Sequence, residues 1–230
     1  MKPIVLGQGL LGREIVNQTT WEFISREKNQ YDLLKEHPSV IFKYLKDFDT
    51  IINCIAFTDT YSDNRESNFR LNCYFLDKLI DYCNNNQKKL IHISTDYIYT
   101  NSKEFASEDD VPVHLNTWYG YTKLVGDALV QLRCKNFLLC RLSHKPNPFP
   151  YDKAWTDIKT NGDYVDVISK MVISLIKSNQ TGIFNVGTEP KSIFELALKT
   201  KNVEPISKPV WVPSDTTMNL EKINNFYDYL

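Results

Sequence analysis

The chain has 230 residues, of which 42% are hydrophobic and 24% charged, and its formal net charge is -1 at pH 7. This length and composition are ordinary for a globular protein with one well-buried core. A net charge so close to zero excludes the general basic field that attracts nucleic acid or an anionic membrane.

The cysteines and the first residues predict the compartment. The five cysteines are an odd number without CxxC spacing, which argues against a disulfide scaffold and a zinc site and favours a reducing compartment. The first residues enter a strand directly, without the arrangement of a signal peptide, and no apolar run approaches the ~20 residues that span a bilayer. We therefore expect a cytoplasmic protein without a metal site, a membrane partner or a nucleic-acid partner.

Short apolar runs alternate along the chain with longer amphipathic stretches, as in repeated βα units around a parallel sheet. Strands are predicted at residues 3–7, 21–25, 49–56, 136–143 and 182–186, with a further strand in 88–99 that runs into a loop. Helices are predicted at about residues 11–17, 31–47, 64–85, 117–133, 164–177 and 192–200. The proline-rich segment 144–153 interrupts this rhythm and is predicted to be a loop.

A glycine-rich turn follows the first strand and opens the first helix, with the sequence Gly7-Gln8-Gly9-Leu10-Leu11-Gly12. In a GxGxxG turn the first glycine permits the tight bend, the second lets the backbone approach a pyrophosphate, and the third lets helix and strand pack closely. The free N–H groups at the start of the helix then face the phosphates. The pattern predicts an α/β fold with a Rossmann-type doubly wound parallel sheet, and a dinucleotide bound by Gly7, Gly9, Leu10, Leu11 and Gly12.

The end of the second predicted strand bears on the choice of cofactor. An acidic residue there would bind the ribose 2′-hydroxyl of NAD, whereas an arginine would pair with the 2′-phosphate of NADP. Ser25 and Arg26 occupy this position, and no acid occurs before Glu27. Arg26, with Ser25 and Arg13 as helpers, predicts NADPH, with NADH as the alternative. The other interpretation is that Arg26 is one solvated surface charge among many.

A tyrosine and a lysine lie four residues apart, at Tyr119 and Lys123, and so share one face of a predicted helix. A phenol with a pKa of roughly 10 is a weak acid at neutral pH unless a cation stabilises its anion. Lys123 can supply that cation and hold the nicotinamide ribose, so that Tyr119 gives a proton to a carbonyl oxygen as hydride arrives at carbon. Ser94 and Thr95 end a predicted strand beside the expected cofactor, where a hydroxyl can hydrogen-bond the substrate oxygen.

Taken in order, these motifs resemble those of the extended short-chain dehydrogenase/reductases, and within them the dTDP-4-dehydrorhamnose reductases. The matching segments are LGQGLLGREI, INCIAFTDTYSD, LIHISTDYIY, WYGYTKLVGD, GDYVDVISKMVISLI and GIFNVGTEPKSIFELA. They cover most of the chain. The resemblance implies reduction of a 4-keto group on a nucleotide-linked deoxysugar with NADPH or NADH.

The resemblance also implies roles for particular residues. It makes Thr95, Tyr119 and Lys123 the catalytic set. It places Asn53, Ala56 and Ser94 beside the cofactor, together with the glycine turn, Tyr119 and Lys123. In related folds the helix predicted at 64–85 and the Tyr–Lys helix form a four-helix bundle between two subunits, which implies a homodimer.

Two regions are implied for the chain. Residues 1–143 are expected to form the NAD(P)-binding Rossmann domain, and residues 144–230 a small, abbreviated substrate-binding region. Within the latter, residues 164–187 are expected to return to the Rossmann domain. The chain is short for the family between Arg141 and Tyr164, and its glycine turn is one residue shorter than the GxxGxxG spacing usual for extended members.

The loop after the fourth predicted strand bears on which reaction of a sugar nucleotide the resemblance implies. Sugar-nucleotide dehydratases follow the threonine with an acidic Asp–Glu pair, but this chain has Thr95-Asp96-Tyr97. Bifunctional epimerase-reductases place a cysteine in the same loop, and residues 94–99 contain none. The resemblance therefore favours a plain reductase.

Four further residues are candidates for contact with the nucleotide-sugar substrate: Thr58, Asp96, His144 and Trp155. His144 has a competing interpretation, because a histidine in a proline-rich loop is often simply solvated. Two other functions stay open. The protein could be a reductase or epimerase of another sugar nucleotide, or an NADP-binding regulatory subunit without turnover, as the shortened substrate region suggests.

Overall fold

Six parallel strands form the centre of the structure, a computed structural model that describes residues 1–100, 102–110 and 117–228. Their order in the sheet is β10-β5-β4-β3-β1-β2. The strands are β1 (Pro3–Leu6), β2 (Glu22–Ile24), β3 (Thr50–Asn53), β4 (Lys89–Ile93), β5 (Phe137–Leu142) and β10 (Gly182–Val186). This arrangement confirms the predicted α/β fold with a Rossmann-type parallel sheet.

The strand order reverses at β1, because β2 lies on one side of it and β3 on the other. All residues of β1 and β3 are buried, and Val5 of β1 is in register with Ile52 of β3. Strands that are apolar on both sides are expected where helices cover both faces of a parallel sheet. In such sheets the point of reversal leaves a crevice at the carboxyl ends of the strands, where ligands bind.

Helices cover both faces of the sheet. They are α1 (Leu10–Thr19), α2 (Arg26–Asn29), α3 (Arg65–Phe69), α4 (Leu76–Asn85), α5 (Trp118–Arg133), α6 (Val165–Lys177), α7 (Ile193–Leu198) and α8 (Glu221–Asp228). One buried apolar cluster joins the sheet to α1, α6 and α8, and a second joins it to α4 and α5. The sheet is therefore wound on both faces, and β10 extends it beside β5.

The helices α3 and α4 are joined by a π-helical turn at Arg70–Phe75. Within this turn the buried side chain of Asn72 accepts a hydrogen bond from Phe57 N (2.8 Å) and donates one to Phe57 O (3.2 Å) and one to Thr122 Oγ1 (3.0 Å). One amide therefore fixes the segment after β3 against the helix that carries Tyr119 and Lys123.

The residues that follow β5 form three short pairs of parallel strands. The pairs are β6 (His144–Lys145) with β9 (Asp163–Tyr164), β7 (Lys153–Trp155) with β11 (Glu204–Ile206), and β8 (Lys159–Thr160) with β12 (Asp215–Thr216). They pack with α7 around a small core of their own, which includes Phe149, Ile158, Tyr164 and Leu196.

Two sequence predictions of local structure were wrong, and one helix was not predicted. The helix predicted at 31–47 is a set of turns followed by a 3-10 helix at Pro38–Leu45. The reason is Pro38, since a proline disfavours the helical conformation of the residue before it and lacks an N–H for the preceding turn. The loop predicted at 144–153 begins with β6, and α8 lies where no helix was predicted. Among the described residues, no helix combines the length and the apolar character needed to cross a membrane.

Candidate active site

A cleft of about 1140 Å³ opens at the carboxyl ends of β1, β3, β4 and β5. The residues predicted from the sequence that line it are Gly7, Gly9, Leu10, Leu11, Gly12, Ser25, Arg26, Ala56, Thr58, Ser94, Thr95, Asp96, Tyr119, Lys123, His144 and Trp155. The predicted cofactor residue Asn53 lies beneath the cleft instead. It is 1% exposed, and its side chain contacts His92 and accepts a hydrogen bond from Ile55 N.

The glycine turn is built for close approach of backbone atoms. Gly7 has a φ of 89°, a conformation that residues with a side chain rarely adopt. A Cβ on Gly12 would lie 2.1 Å from Gly7 O, so α1 can start this close to β1 only with glycine at that position. These two glycines are therefore required by the fold itself.

Gly9 has a different reason to be glycine. A Cβ at this position would meet no protein atom within 4 Å, and Gly9 lines the cleft. It also precedes α1 without a side chain to cap the helix, so the first N–H groups of α1 have no capping partner from this residue. Open space next to the N-terminus of a helix fits an approaching phosphate group.

The expected ribose end of the cleft holds Ser25 and Arg26. The Ser25 hydroxyl accepts a hydrogen bond from Lys28 N (3.1 Å) and thereby caps α2. The Arg26 side chain is 70% exposed and lies 3.5 Å from the Asp32 carboxylate, which also borders the cleft. Arg26 is thus an exposed cation at the rim of the cleft, and Asp32 is an acidic neighbour that the sequence pattern did not reveal.

Tyr119 lies in the first turn of α5, which is capped by the Thr117 hydroxyl accepting from Gly120 N (3.0 Å). Burial raises the pKa of Tyr119 to about 12, with smaller increases from Asp96 and Asp127, while a hydrogen bond with Thr95 partly offsets them. Tyr119 is therefore a neutral phenol at physiological pH, the form that can donate a proton. Thr95 and Tyr119 are close together, as the sequence predicted.

Lys123 lies one helical turn further along α5 and is 2% exposed. Its Nζ donates a hydrogen bond to Ile93 O (2.7 Å), which ties α5 to the end of β4. Burial lowers the pKa of Lys123 to about 8, and the carboxylate of Asp127 opposes that shift. The expected stabilisation of the Tyr119 anion by Lys123 is not visible here, because burial dominates and the pKa of Tyr119 is raised.

A buried ion pair lies behind Lys123. Asp127 is 0% exposed, and its Oδ2 is 2.9 Å from Arg141 Nε. The Arg141 guanidinium also donates to Glu108 O (3.1 Å) and to the Tyr99 hydroxyl. Sequence reasoning missed the pairing of Asp127 with Arg141. The spacing of four between Lys123 and Asp127 did indicate that Asp127 lies on the helix face of Lys123.

Asp96 is buried (1% exposed) and holds hydroxyl groups from distant parts of the chain. Its Oδ1 accepts from Thr95 (3.2 Å), and its Oδ2 accepts from Thr216 (2.9 Å) and Thr160 (3.3 Å). These bonds connect the loop after β4 with β8 and β12. The carboxylate predicted as a substrate ligand therefore already has threonine partners, and it orients Thr95.

Aromatic and basic side chains line the part of the cleft near Tyr119. The Tyr61 and Tyr97 hydroxyls are 2.6 Å apart, and the Tyr97 ring meets the Tyr119 ring edge-on with centroids 6.2 Å apart. Burial lowers the pKa of His144 to about 4, so its imidazole is neutral. The lining residues near this end that the sequence did not single out are Tyr61, Lys145 and Tyr151. Within the described ranges, no three His, Cys, Asp or Glu side chains are grouped to hold a metal ion.

A parallel sheet that reverses its order beside a glycine-rich turn defines a Rossmann-type nucleotide-binding fold. The model of the RmlD substrate binding domain family matches residues 1–144, and the chain belongs to this family.

Two curated relatives are named as reductases. The chain is 27% identical over 172 residues to a dTDP-4-dehydrorhamnose reductase from Mycolicibacterium smegmatis, a match that covers 71% of this chain and 47% of the relative. It is 34% identical over 102 residues to the probable low-salt glycan biosynthesis reductase Agl14 from Haloferax volcanii, covering 42% of this chain and 33% of the relative. The matches therefore span half the length of these relatives or less.

Solved structures share the fold over nearly the whole chain. A hypothetical dTDP-4-dehydrorhamnose reductase from Sulfolobus tokodaii has a TM-score of 0.82 at 21% identity, covering 98% of this chain and 94% of that chain. A dTDP-4-dehydrorhamnose reductase from Bacillus anthracis in complex with NADP has a TM-score of 0.81 at 20% identity, covering 98% and 91%. At this identity the likeness establishes the fold.

Alanine at two glycines should separate folding from ligand binding. Gly9→Ala should leave the free energy of unfolding within about 0.5 kcal/mol of wild type, because its Cβ meets no protein atom. It should weaken NADPH binding by about tenfold or more, because the methyl group takes the space open to a diphosphate. Gly12→Ala should instead lower the free energy of unfolding by about 1–3 kcal/mol. Urea denaturation and NADPH fluorescence titration measure the two effects, and wild-type NADPH affinity in Gly9→Ala would contradict this account.

The pKa of Asp96 predicts a specific pH dependence of stability. Burial raises this pKa from 3.8 to about 6, against opposing hydrogen bonds from three threonines and the charge of Lys145. The folded state therefore binds the proton more tightly than the unfolded state, and the resulting stability is full below pH 3.8 and lost as the pH rises through about 6. In Asp96→Asn this contribution is absent. Between about pH 4 and 7 the wild type should lose on the order of 3 kcal/mol relative to the variant in urea denaturation. Parallel pH curves for the two proteins would show that Asp96 titrates as it does in the unfolded chain.

Proposed function

We propose that this protein reduces the 4-keto group of a nucleotide-linked 6-deoxysugar, with NADPH as the reductant and NADH as the alternative. The observation that carries the proposal is that Thr95, Tyr119 and Lys123 line the same cleft as the glycine turn. Membership of the RmlD substrate binding domain family and the names of both curated relatives support it. The reaction would take place in the cytoplasm, which fits five cysteines that are all free.

The chain offers a fitting site for the dinucleotide. The open space at Gly9 and the N-terminus of α1 would receive the diphosphate, Arg26 the 2′-phosphate, and Lys123 the ribose next to the nicotinamide. A relative of the same fold carries NADP in its solved structure, which supports this choice. When bound, NADPH supplies a hydride to the carbonyl carbon of the substrate.

The proton for the new hydroxyl comes from Tyr119. As the carbonyl carbon is reduced, negative charge develops on its oxygen, and the Tyr119 phenol donates its proton there. The Thr95 hydroxyl, which donates to Asp96 Oδ1 (3.2 Å) in this structure, would turn its proton to the same oxygen. Tyr119 then carries negative charge in a buried site, where a nearby cation is worth much more than in water. Lys123, on the same helix face, would stabilise this charge as it forms, although it does not lower the pKa of the neutral Tyr119 in this structure.

The same residues argue against other reactions of sugar nucleotides. The loop after β4 lacks the acidic pair expected for elimination, and its one carboxylate, Asp96, is held by threonines. It contains no cysteine that could deprotonate the carbon beside the keto group. Reduction without elimination or epimerisation is therefore the chemistry that this site supports best.

Tyr119→Phe should separate an enzyme from a regulatory subunit. Loss of a general acid is expected to lower kcat by about 10²–10⁴-fold, while NADPH affinity stays at the wild-type value. Steady-state NADPH oxidation and fluorescence titration give the two quantities. Tyr82→Phe, which removes a phenol hydroxyl from α4, is the matched control and should keep wild-type kcat. Unchanged turnover in Tyr119→Phe would rule out this acid, and a wild type that binds NADPH without turnover would favour the regulatory subunit.

Arg26→Ala tests the choice of cofactor. If the guanidinium pairs with the 2′-phosphate, its loss should raise the KM for NADPH by roughly tenfold and leave the KM for NADH unchanged. Asp32→Asn is the complementary variant, because it frees Arg26 from its carboxylate neighbour and should lower the KM for NADPH. An unchanged ratio of the two KM values in Arg26→Ala would assign Arg26 to the solvated surface.

A further inference from the structure

Lys145 differs from the other inward-facing lysines of this protein. The Nζ of Lys88 donates to backbone carbonyls, that of Lys89 to Asn179 and Gln180, and that of Lys191 to Asp163. In the part of the chain that the structure describes, no acceptor takes a hydrogen bond from Lys145 Nζ. Burial nevertheless lowers the pKa of Lys145, so its ammonium has lost much of its hydration. Lys145 is half-buried, and a partly dehydrated cation without a protein acceptor is stabilised when an anion pairs with it.

The position of Lys145 says where that pairing would occur. Lys145 ends β6, where pairing with Tyr164 of β9 fixes its backbone, and its side chain lines the cleft. The carboxyl that influences the pKa of Lys145 is Asp96, the group that also holds Thr95. Lys145 is therefore on the side of the cleft where the carbonyl is reduced.

The carboxylates around Lys145 compensate its charge only in part. Asp96 accepts hydrogen bonds from threonines rather than forming an ion pair with Lys145, and burial raises its pKa to about 6. Asp163, on the strand beside β6, pairs with Lys191. His144 is neutral, and its buried Nδ1 has no hydrogen-bond partner among the described residues. Two neighbouring residues of β6 thus offer a cation and an unpaired ring nitrogen.

We propose that Lys145 binds an anionic group of the substrate and so determines which substrates are accepted. Two groups of a nucleotide-linked sugar have this chemistry. The diphosphate that joins the sugar to the nucleoside is present in the proposed 6-deoxysugar substrate, whereas a carboxylate on the sugar ring would mean another sugar nucleotide. Trp155 and Tyr151 line the same cleft and offer aromatic surface beside which a sugar can pack. This assignment rests on the proposed function, because it takes the ligand of the cleft to be a sugar nucleotide.

Lys145→Met tests the assignment in the full chain loaded with NADP. Calorimetric titration with UDP, UDP-glucose, UDP-glucuronate and dTDP-glucose compares ligands that differ in nucleoside and in carboxylate. Loss of an ion pair in a partly dehydrated cleft is expected to weaken binding by about tenfold or more. A loss confined to UDP-glucuronate identifies the sugar carboxylate, and an equal loss for all four identifies the diphosphate. Unchanged affinities, or no binding of any probe by the wild type, overturn the proposal.

Two controls separate binding from folding. Lys153→Met removes a lysine of β7 whose side chain is 58% exposed and pairs with Glu204, and it should bind all four probes as the wild type does. Lys145→Met should unfold at a temperature no lower than the wild type, because the lost cation had no protein partner. Lys145→Arg, which retains the charge, should recover part of the lost affinity.

The test of the Lys145 anion site can fail or succeed independently of the proposed reduction. Affinity that depends on Lys145, in a protein that never oxidises NADPH, would count against the reductase and leave the anion site standing. Turnover of a nucleotide-linked keto sugar with the same KM in wild type and Lys145→Met would support the reductase and exclude the anion site.

Discussion

Buried charges pair behind α5 and hold this helix against the sheet. Lys123 is buried and donates to the carbonyl that ends β4, and the Asp127 carboxylate opposes the loss of its proton. Asp127 is itself buried and pairs with Arg141 of β5. Removing one partner from such a pair typically costs several kcal/mol, because the other charge is left uncompensated. The chain of charges therefore fixes the rotation of α5 against the sheet, and with it the position of Tyr119.

A second set of contacts joins the C-terminal strands to the same end of the cleft. Asp96 receives hydroxyl groups from Thr160 and Thr216, while its other oxygen holds Thr95. The region that would bind substrate and the group that would hydrogen-bond its carbonyl thus meet at one carboxylate. A change in the packing of β8 or β12 would be transmitted directly to Thr95.

The sequence predicted the parts of the site that depend on local spacing. The glycine turn lies at the start of α1, and Tyr119 and Lys123 share one face of α5. Both patterns could be predicted because each involves residues only a few positions apart in the sequence. The contacts of Asp96 were beyond sequence reasoning, since its partners lie 64 and 120 residues away. Lys145 gave no pattern at all, because its importance lies in the lack of a protein acceptor. The helix predicted at 31–47 failed at Pro38, where a local breaker outweighed the apolar periodicity.

We propose that a neutral Tyr119 completes a hydride transfer to a sugar carbonyl in this cleft. The most direct measurement uses NADPH labelled with deuterium at the transferable position of the nicotinamide, with nucleotide-linked 4-keto-6-deoxysugars generated in situ. Mass spectrometry of the sugar product should find one deuterium on the carbon that carried the keto group. NADPH that stays unoxidised with every sugar, or a product without deuterium, would show that Tyr119 does not complete such a transfer here.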